Sequence, residues 1–413
     1  MRHLWSQRLM LLGVFALCIV LVRGNVIYAE GEEAVPAPVA AEEPTAMDFL
    51  KSISIGGFVD TYYSYNFNKP ASRGPGRSAD ATTTFPEANA LRAFDRQDNS
   101  FTLSNIELQV VKPSTEESPV GFGFVTLYGE ISNFMTFVES HGRVDSFTPG
   151  GNSFTVAQGY ATYKAPIGKG LDLKMGKFAT WIGAELWESV DNPNYSRSYL
   201  YNLAIPFTHT GLAASYPFTD KLTITGFLVN GWDTFVDNNT AKTFGSQIAY
   251  ALSDSCSFWL NTAHGAEQAR GLSSNVFGAT SGDVRHFFDF IWVYSPWDKL
   301  KFNFNYDHGT EQSVGHWNGV AIIAQYFFTD AFDIALRGER FKDSGSRSFS
   351  DGTGTTTIEV YEVTTTFNIK VRNNLYVRPE FRYDWAVGKS QDIVFPGTRD
   401  NQTTAAIGVA YLF

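Results

Sequence analysis

From Asn374 onward the chain reads NLYVRPEFRYDW, and its residues sort into two chemistries by parity. Leu375, Val377, Pro379, Phe381, Tyr383 and Trp385 alternate with Tyr376, Arg378, Glu380, Arg382 and Asp384. Successive side chains of a β-strand leave on opposite faces, so this strand carries one apolar face and one charged face. KLKFNFNYDHG repeats the pattern, with Leu300, Phe302, Phe304 and Tyr306 set between Lys299, Lys301, Asn303, Asn305 and Asp307. SISIGGFVDTYYSYNFN keeps Ile53, Ile55, Val59, Tyr63, Tyr65 and Phe67 on one parity and Asp60, Tyr62, Ser64 and Asn66 on the other. Strands of soluble proteins run about 5–6 residues, and these run well past that. A soluble sheet built from them would leave a large apolar patch in water. A closed barrel with lipid outside and water inside satisfies both faces and has no unpaired edge.

Sixteen such segments start near residues 52, 101, 121, 153, 171, 206, 221, 243, 256, 284, 299, 316, 331, 357, 374 and 402. The expected fold is all-β, a transmembrane antiparallel up-and-down β-barrel of about 16 strands. Its connections alternate in length. KPSTEESP, APIGKG, YPFTDK, LSDS, SPWDK, FFTDA and KVRNN are short and rich in turn residues, whereas residues 69–97, 131–152, 181–205, 265–282 and 386–401 are long connections. Outer-membrane barrels have short periplasmic turns and long external loops, so an even strand number places both chain ends in the periplasm. The last strand ends TTAAIGVAYLF, an aromatic-x-Phe ending on Phe413 that resembles the signal read by the β-barrel assembly machinery.

Ahead of the barrel, residues 1–29 have a basic start (Arg2, Arg8), an apolar run from Leu9 to Val22, and Ala29 before an acidic stretch. That is the form of a Sec-type signal peptide, and its apolar run is shorter than the roughly 20 residues that cross a bilayer. Residues 30–48, rich in Glu, Ala and Pro, have nothing to bury and read as a disordered acidic periplasmic lead-in. The barrel is left with residues 49–413. Cys18 falls within the signal, so Cys256 has no intramolecular partner in the exported chain. The mean hydropathy of −0.15 does not oppose a membrane reading, because transmembrane strands give a weak hydropathy signal.

Several stretches carry a resemblance: GFVDTYYSYNFNKP (Gly57–Pro70), FDRQDNSFTLSNIEL (Phe94–Leu108), GKFATWIGAE (Gly176–Glu185), NPNYSRS (Asn192–Ser198), NGWDTFVDNN (Asn230–Asn239) and RGERF (Arg337–Phe341). In these the chain resembles the OmpL-like family of β-barrel porins of Gram-negative outer membranes, over nearly all of the exported sequence. The resemblance implies a channel and a localisation in the cell outer membrane, and brings no catalytic or ligand residues with it.

Enzyme readings find little footing. GLDLKMGKF has the glycines and lysine of a phosphate loop, but five residues rather than four separate Gly170 from Gly176, and Phe178 stands where Ser or Thr should hold magnesium. The seven histidines show no zinc spacing. His209, in PFTHTG, reads as a lone polar wall residue. No cofactor, metal or nucleic-acid partner is expected. Parity instead assigns to the lumen Asp289, Lys299, Lys301, Asp307, Arg337, Glu339, Glu362, Arg378, Glu380, Arg382 and Asp384. In a water-filled pore such charges cost little and tune which ions pass; ladders of ion pairs filling the interior are the alternative. Sixteen strands leave an aqueous channel where eight do not.

The third external loop, WIGAELWESVDNPNYSRSYLYNLAI, carries Glu185, Glu188, Asp191 and Arg197 among Trp181, Trp187 and Tyr195. Two positions are open to it, a constriction inside the barrel and a lid above it. Inside, its carboxylates would face Arg337, Arg378 and Arg382 across water and favour cations weakly. The function expected is an outer-membrane porin for passive diffusion of small hydrophilic solutes and ions, in contact with lipid and, by analogy of size, a homotrimer. A non-conducting receptor or adhesin with a plugged lumen, or an outer-membrane hydrolase, are the other readings.

Overall fold

The computed structural model describes residues 46–70, 89–139, 152–268, 282–344, 357–388, 394–395 and 399–413. The signal peptide and nearly all of the lead-in lie outside the described residues. Two compact units divide the chain at Phe49 and Leu50. Of the first, only the opening residues of helix α1 (Ala46–Lys51) are described.

The second unit is a closed barrel of sixteen strands. They are β1 (Ser54–Asn66), β2 (Ser100–Lys112), β3 (Val120–Gly129), β4 (Ser153–Ala165), β5 (Leu171–Ala179), β6 (Thr208–Pro217), β7 (Leu222–Val229) and β8 (Thr243–Ser253). The rest are β9 (Cys256–Ala266), β10 (Val284–Trp297), β11 (Leu300–Glu311), β12 (Gly315–Thr329), β13 (Phe332–Ser344), β14 (Thr357–Arg372), β15 (Leu375–Ala386) and β16 (Asn401–Leu412). Each begins within two residues of the start read from its alternation. Every strand pairs antiparallel with its neighbours in sequence, and β1 pairs β16 from Phe58↔Leu412 to Asn66↔Thr404. The Phe413 N–H donates to Gly57 O (3.0 Å) and the Gly57 N–H to Phe413 O (3.1 Å), which carries the seam to the last residue.

The two chemistries of the alternation separate across the wall. In β15 Arg378, Glu380, Arg382 and Asp384 are buried inside, whereas Phe381 and Tyr383 are exposed outside. No helix among the described residues is long and apolar enough to cross a membrane, so crossing falls to the strands. The long connection after β3 opens with a helix, α2 (Glu130–Glu139), that no strand alternation announces, with Ile131, Phe134 and Met135 buried.

Candidate solute path

The third external loop, residues 180–207, lies inside the barrel. An irregular segment there must satisfy its own N–H and C=O groups without a ladder partner. Charged wall residues do this. The Gly183 N–H donates to Asp289 Oδ2 (2.9 Å) and the Ala184 N–H to Asn305 Oδ1 (3.2 Å). Glu380 accepts the N–H groups of Tyr195 (2.8 Å) and Ser196 (3.1 Å), and Glu339 accepts those of Tyr199 and Leu200 (both 2.6 Å). Arg378 donates to the carbonyls of Ser189, Asn192 and Pro193, and Arg382 to the Arg197 carbonyl (2.7 Å). On the far side of the seam, Asp60 accepts the Ser189 hydroxyl (2.8 Å) and Glu107 the Trp187 indole N–H (3.2 Å).

The ion pairs follow the same plan. Arg337 bridges Glu185 of the loop (2.8 Å) and Glu362 of β14 (2.6 Å). Arg382 pairs with Asp384 (2.7 Å), which also takes Arg92 from the first external loop (2.7 Å) and the Tyr199 hydroxyl (2.7 Å). Asp289, Asp307, Arg337, Glu339, Glu362, Arg378, Glu380, Arg382 and Asp384 are thus on the inner wall and buried, and meet protein rather than open water. Lys299 is a correction: it stands in the exposed two-residue turn between β10 and β11, because the strand starts one residue later. Lys301 is inward and exposed to a cavity.

The loop's own charges take separate places. Glu185 is ion-paired, and the Arg197 guanidinium is spent on the carbonyls of Leu186, Trp187 and Tyr195. Glu188 is buried; burial and the neighbouring Glu107 carboxylate push its carboxyl well above the usual range. Asp191 is exposed at the edge of a cavity, and partial burial pushes its carboxyl up in spite of Arg378. Only Asp191 of the loop's carboxylates is exposed, and the arginine that acts on it, Arg378, is itself buried and bound to loop carbonyls, so the loop does not form an open constriction of carboxylates facing arginines.

Two cavities lie on the periplasmic side of the loop. One of about 580 Å³ is lined by Lys112, Tyr160, Asp172, Lys174 and Thr225 of β2–β7, and one of about 420 Å³ by Asp191, Trp259, Lys301, Asn303 and Gln325. Trp181 and Gln247 line both, so the two adjoin there. Asp172 is ion-paired with Lys164 (2.8 Å). Lys174 Nζ instead lies over the rings of Tyr160 (4.5 Å) and Phe178 (5.7 Å), and Lys112 donates to the Ser118 hydroxyl (2.7 Å). Asp60, which the alternation of β1 sets on the polar parity, belongs with the inner wall charges, and the same rule places Glu107, Lys112 and Lys174: Glu107 stands between Ile106 and Leu108. Toward the external end, Phe94, Phe134, Tyr201 and Phe207 pack at centroid separations of 5.3–5.7 Å. His209 packs elsewhere, its ring 4.3 Å from that of Trp181 and its nitrogens on Thr180 Oγ1 (3.1 Å) and Gly231 O (3.0 Å). Among the described residues no three His, Cys, Asp or Glu side chains converge as a metal site.

A closed sixteen-stranded barrel, apolar outside and charged inside, with its third loop folded inward, is the architecture of an outer-membrane porin. Residues 52–413 match the family described as "Putative beta-barrel porin-2, OmpL-like", and the chain belongs to that family. Its place is the outer membrane. Solved structures of similar fold include the outer membrane channel DcaP of Acinetobacter baumannii (TM-score 0.54, 10% identity, 87% of this chain and 97% of that one). An anion-selective porin from Comamonas acidovorans matches at TM-score 0.53 and 12% identity, over 87% and 99% of the two chains. OmpT of Vibrio cholerae in its trimer form matches at 0.53 and 11%, over 87% and 99%. At these identities the likeness is one of fold. A search of the curated proteins finds no match.

Proposed function

We propose that small hydrophilic solutes cross this porin beside the third loop, along the wall of β3–β8, by passive diffusion and without chemistry. The observation that carries this reading is the uneven anchoring of the loop: its bonds to charged wall groups go to β1, β2 and β10–β15, the β6–β9 wall holds only its two ends, through Thr180, Trp181 and Phe207, and the larger cavity lies on that side. The charges left facing that space are Lys174 and Lys301, with the largely buried Lys112 behind them, against the single exposed carboxylate of Asp191, since Asp172 is neutralised by Lys164. Fixed charges act within about 8 Å at physiological ionic strength, so these lysines, and not the net charge of −10, set ion preference at the path. A weak anion preference follows, opposite to that expected from an open constriction.

Reversal potentials in a salt gradient across a planar bilayer test both parts. The expected result is conductance with mild anion preference that falls or inverts in Lys174→Glu. Conductance with unchanged selectivity in that variant would move the path elsewhere. A second reading, a plugged surface receptor, draws on the packed Phe94, Phe134, Tyr201 and Phe207 cluster, and absence of any conductance would favour it.

The remaining parts of the proposal concern delivery and assembly. Residues 1–29 would direct export as a signal peptide and residues 30–48 would trail from it as a periplasmic lead-in. Phe413 would be read by the assembly machinery, and three copies would associate in the membrane, as the trimer form of the Vibrio cholerae protein does.

A further inference from the structure

On the outer wall of the barrel, His264 of β9 and His286 of β10 stand directly opposite one another in register. Both side chains are exposed, and the inward residues beside them, Ala263 and Phe287, are buried. Their Nδ1 atoms are 3.0 Å apart with ring centroids at 5.2 Å. The last rung of the β9–β10 ladder, Val284↔Ala266, lies two residues beyond, so the pair sits just below the external rim. The surrounding outward residues are Phe244 across from His264, and Thr310 across from His286. Two imidazoles in the lipid-facing wall contribute nothing to the solute path.

We propose that His264 and His286 form a bidentate site for a divalent transition-metal ion, with Cu(II) or Ni(II) preferred and water completing the coordination. An imidazole binds such ions through a neutral ring nitrogen at about 2.0–2.1 Å. Two nitrogens 3.0 Å apart at that bond length subtend roughly 90° at the metal. That is the bite of a square-planar or tetragonal site, whereas a tetrahedral Zn(II) site asks for a wider one. The order of divalent affinities points the same way. Adjacent antiparallel strands hold both rings in a fixed sheet, so little order must be created on binding. Without metal the same geometry serves a single proton shared between the two Nδ1 atoms, which is the state that a metal would displace.

The site is tested on the full, untagged chain in detergent, titrated with copper(II) chloride and followed by calorimetry and electron paramagnetic resonance. One Cu(II) per chain with two-nitrogen hyperfine structure is expected. His264→Ala and His286→Ala should each weaken binding by more than the roughly 10- to 100-fold that loss of a merely supporting residue costs. His316→Ala, on the outer face but outside the pair, should leave it unchanged. Wild-type affinity no greater than that of the double variant His264→Ala/His286→Ala would overturn the proposal. So would a one-nitrogen spectrum. Both variants lie on the outer surface, and a heat-shifted electrophoretic band confirms folding before each titration.

Discussion

At the scale of the residue, the interior is a set of charges whose partners are backbone groups and other charges. Arg337 is fully buried between Glu185 and Glu362. Arg337→Met would leave the buried Glu185 without its cation and Glu362 with Arg382 alone at 3.7 Å, and breaking a buried pair in this way costs about 3–5 kcal/mol. Urea unfolding in detergent micelles should show that loss, and adding Glu185→Gln and Glu362→Gln should return most of it. Glu188 behaves differently, because burial and the nearby Glu107 carboxylate outweigh the opposing charge of Arg197. Its folded pKa is raised, so its contribution to stability is fully present below the unfolded value and is lost as pH rises through the folded value. Glu188→Gln should flatten the decline of stability with rising pH and leave the acid side unchanged; a parallel decline in both proteins would exclude Glu188 as its source. The inward parity of these charges was legible in the alternation. Their partners were not, since Glu185 and Arg337 lie 152 residues apart and nothing in either segment names the other.

At the scale of the element, the strands were legible because lipid on one side and a polar interior on the other force a strict period of two, and that period carries its own boundaries. Phe381, mid-strand in β15, faces outward. Phe381→Arg should cost about 2–4 kcal/mol in a refolding assay into lipid vesicles. Arg382, one residue on, faces inward, and its bonds to Arg197 O and Asp384 make Arg382→Gln a loop-releasing change. Helix α2 is legible too, though against a background of strands. Ile131, Phe134, Met135 and Val138 stand at i, i+3, i+4 and i+7, a helical period hidden among strands. The inward glycines of the wall have a use that no local pattern reveals. A Cβ at Gly408 would come within 2.3 Å of the Tyr195 ring, and one at Gly245 within 2.1 Å of the Trp181 ring. These positions are sockets for the third loop. Gly408→Val should expel Tyr195 and expose the loop to protease at its centre, while β16 keeps its pairing.

At the scale of the whole molecule, barrel and loop are separable. The barrel closes through its own ladder, from β1 with β16 around to β1 with β2, and needs no bond from the third loop to do so. The loop has only short helical turns of its own, at Ser189–Asp191 and Leu200–Ala204, and is held by wall charges. Two of the strongest anchors are Glu380 and Glu339, each taking two consecutive loop N–H groups. Replacing both by Ala removes acceptors for four N–H groups at once, and buried donors without partners cost about 1–3 kcal/mol each. That total is enough to release the loop, whereas the ladder of β13 with β14 and of β15 with β16 is untouched. The double variant Glu339→Ala/Glu380→Ala should therefore still migrate as a folded, heat-modifiable barrel. Its single-channel conductance should exceed that of the parent severalfold, with more gating noise, because the released loop no longer fills the side of the lumen lined by β10–β16. An unchanged conductance in a folded double variant would mean that the wall carboxylates are not what holds the loop in place, and that the apolar packing of Phe94, Phe134 and Phe207 above it carries the anchoring alone.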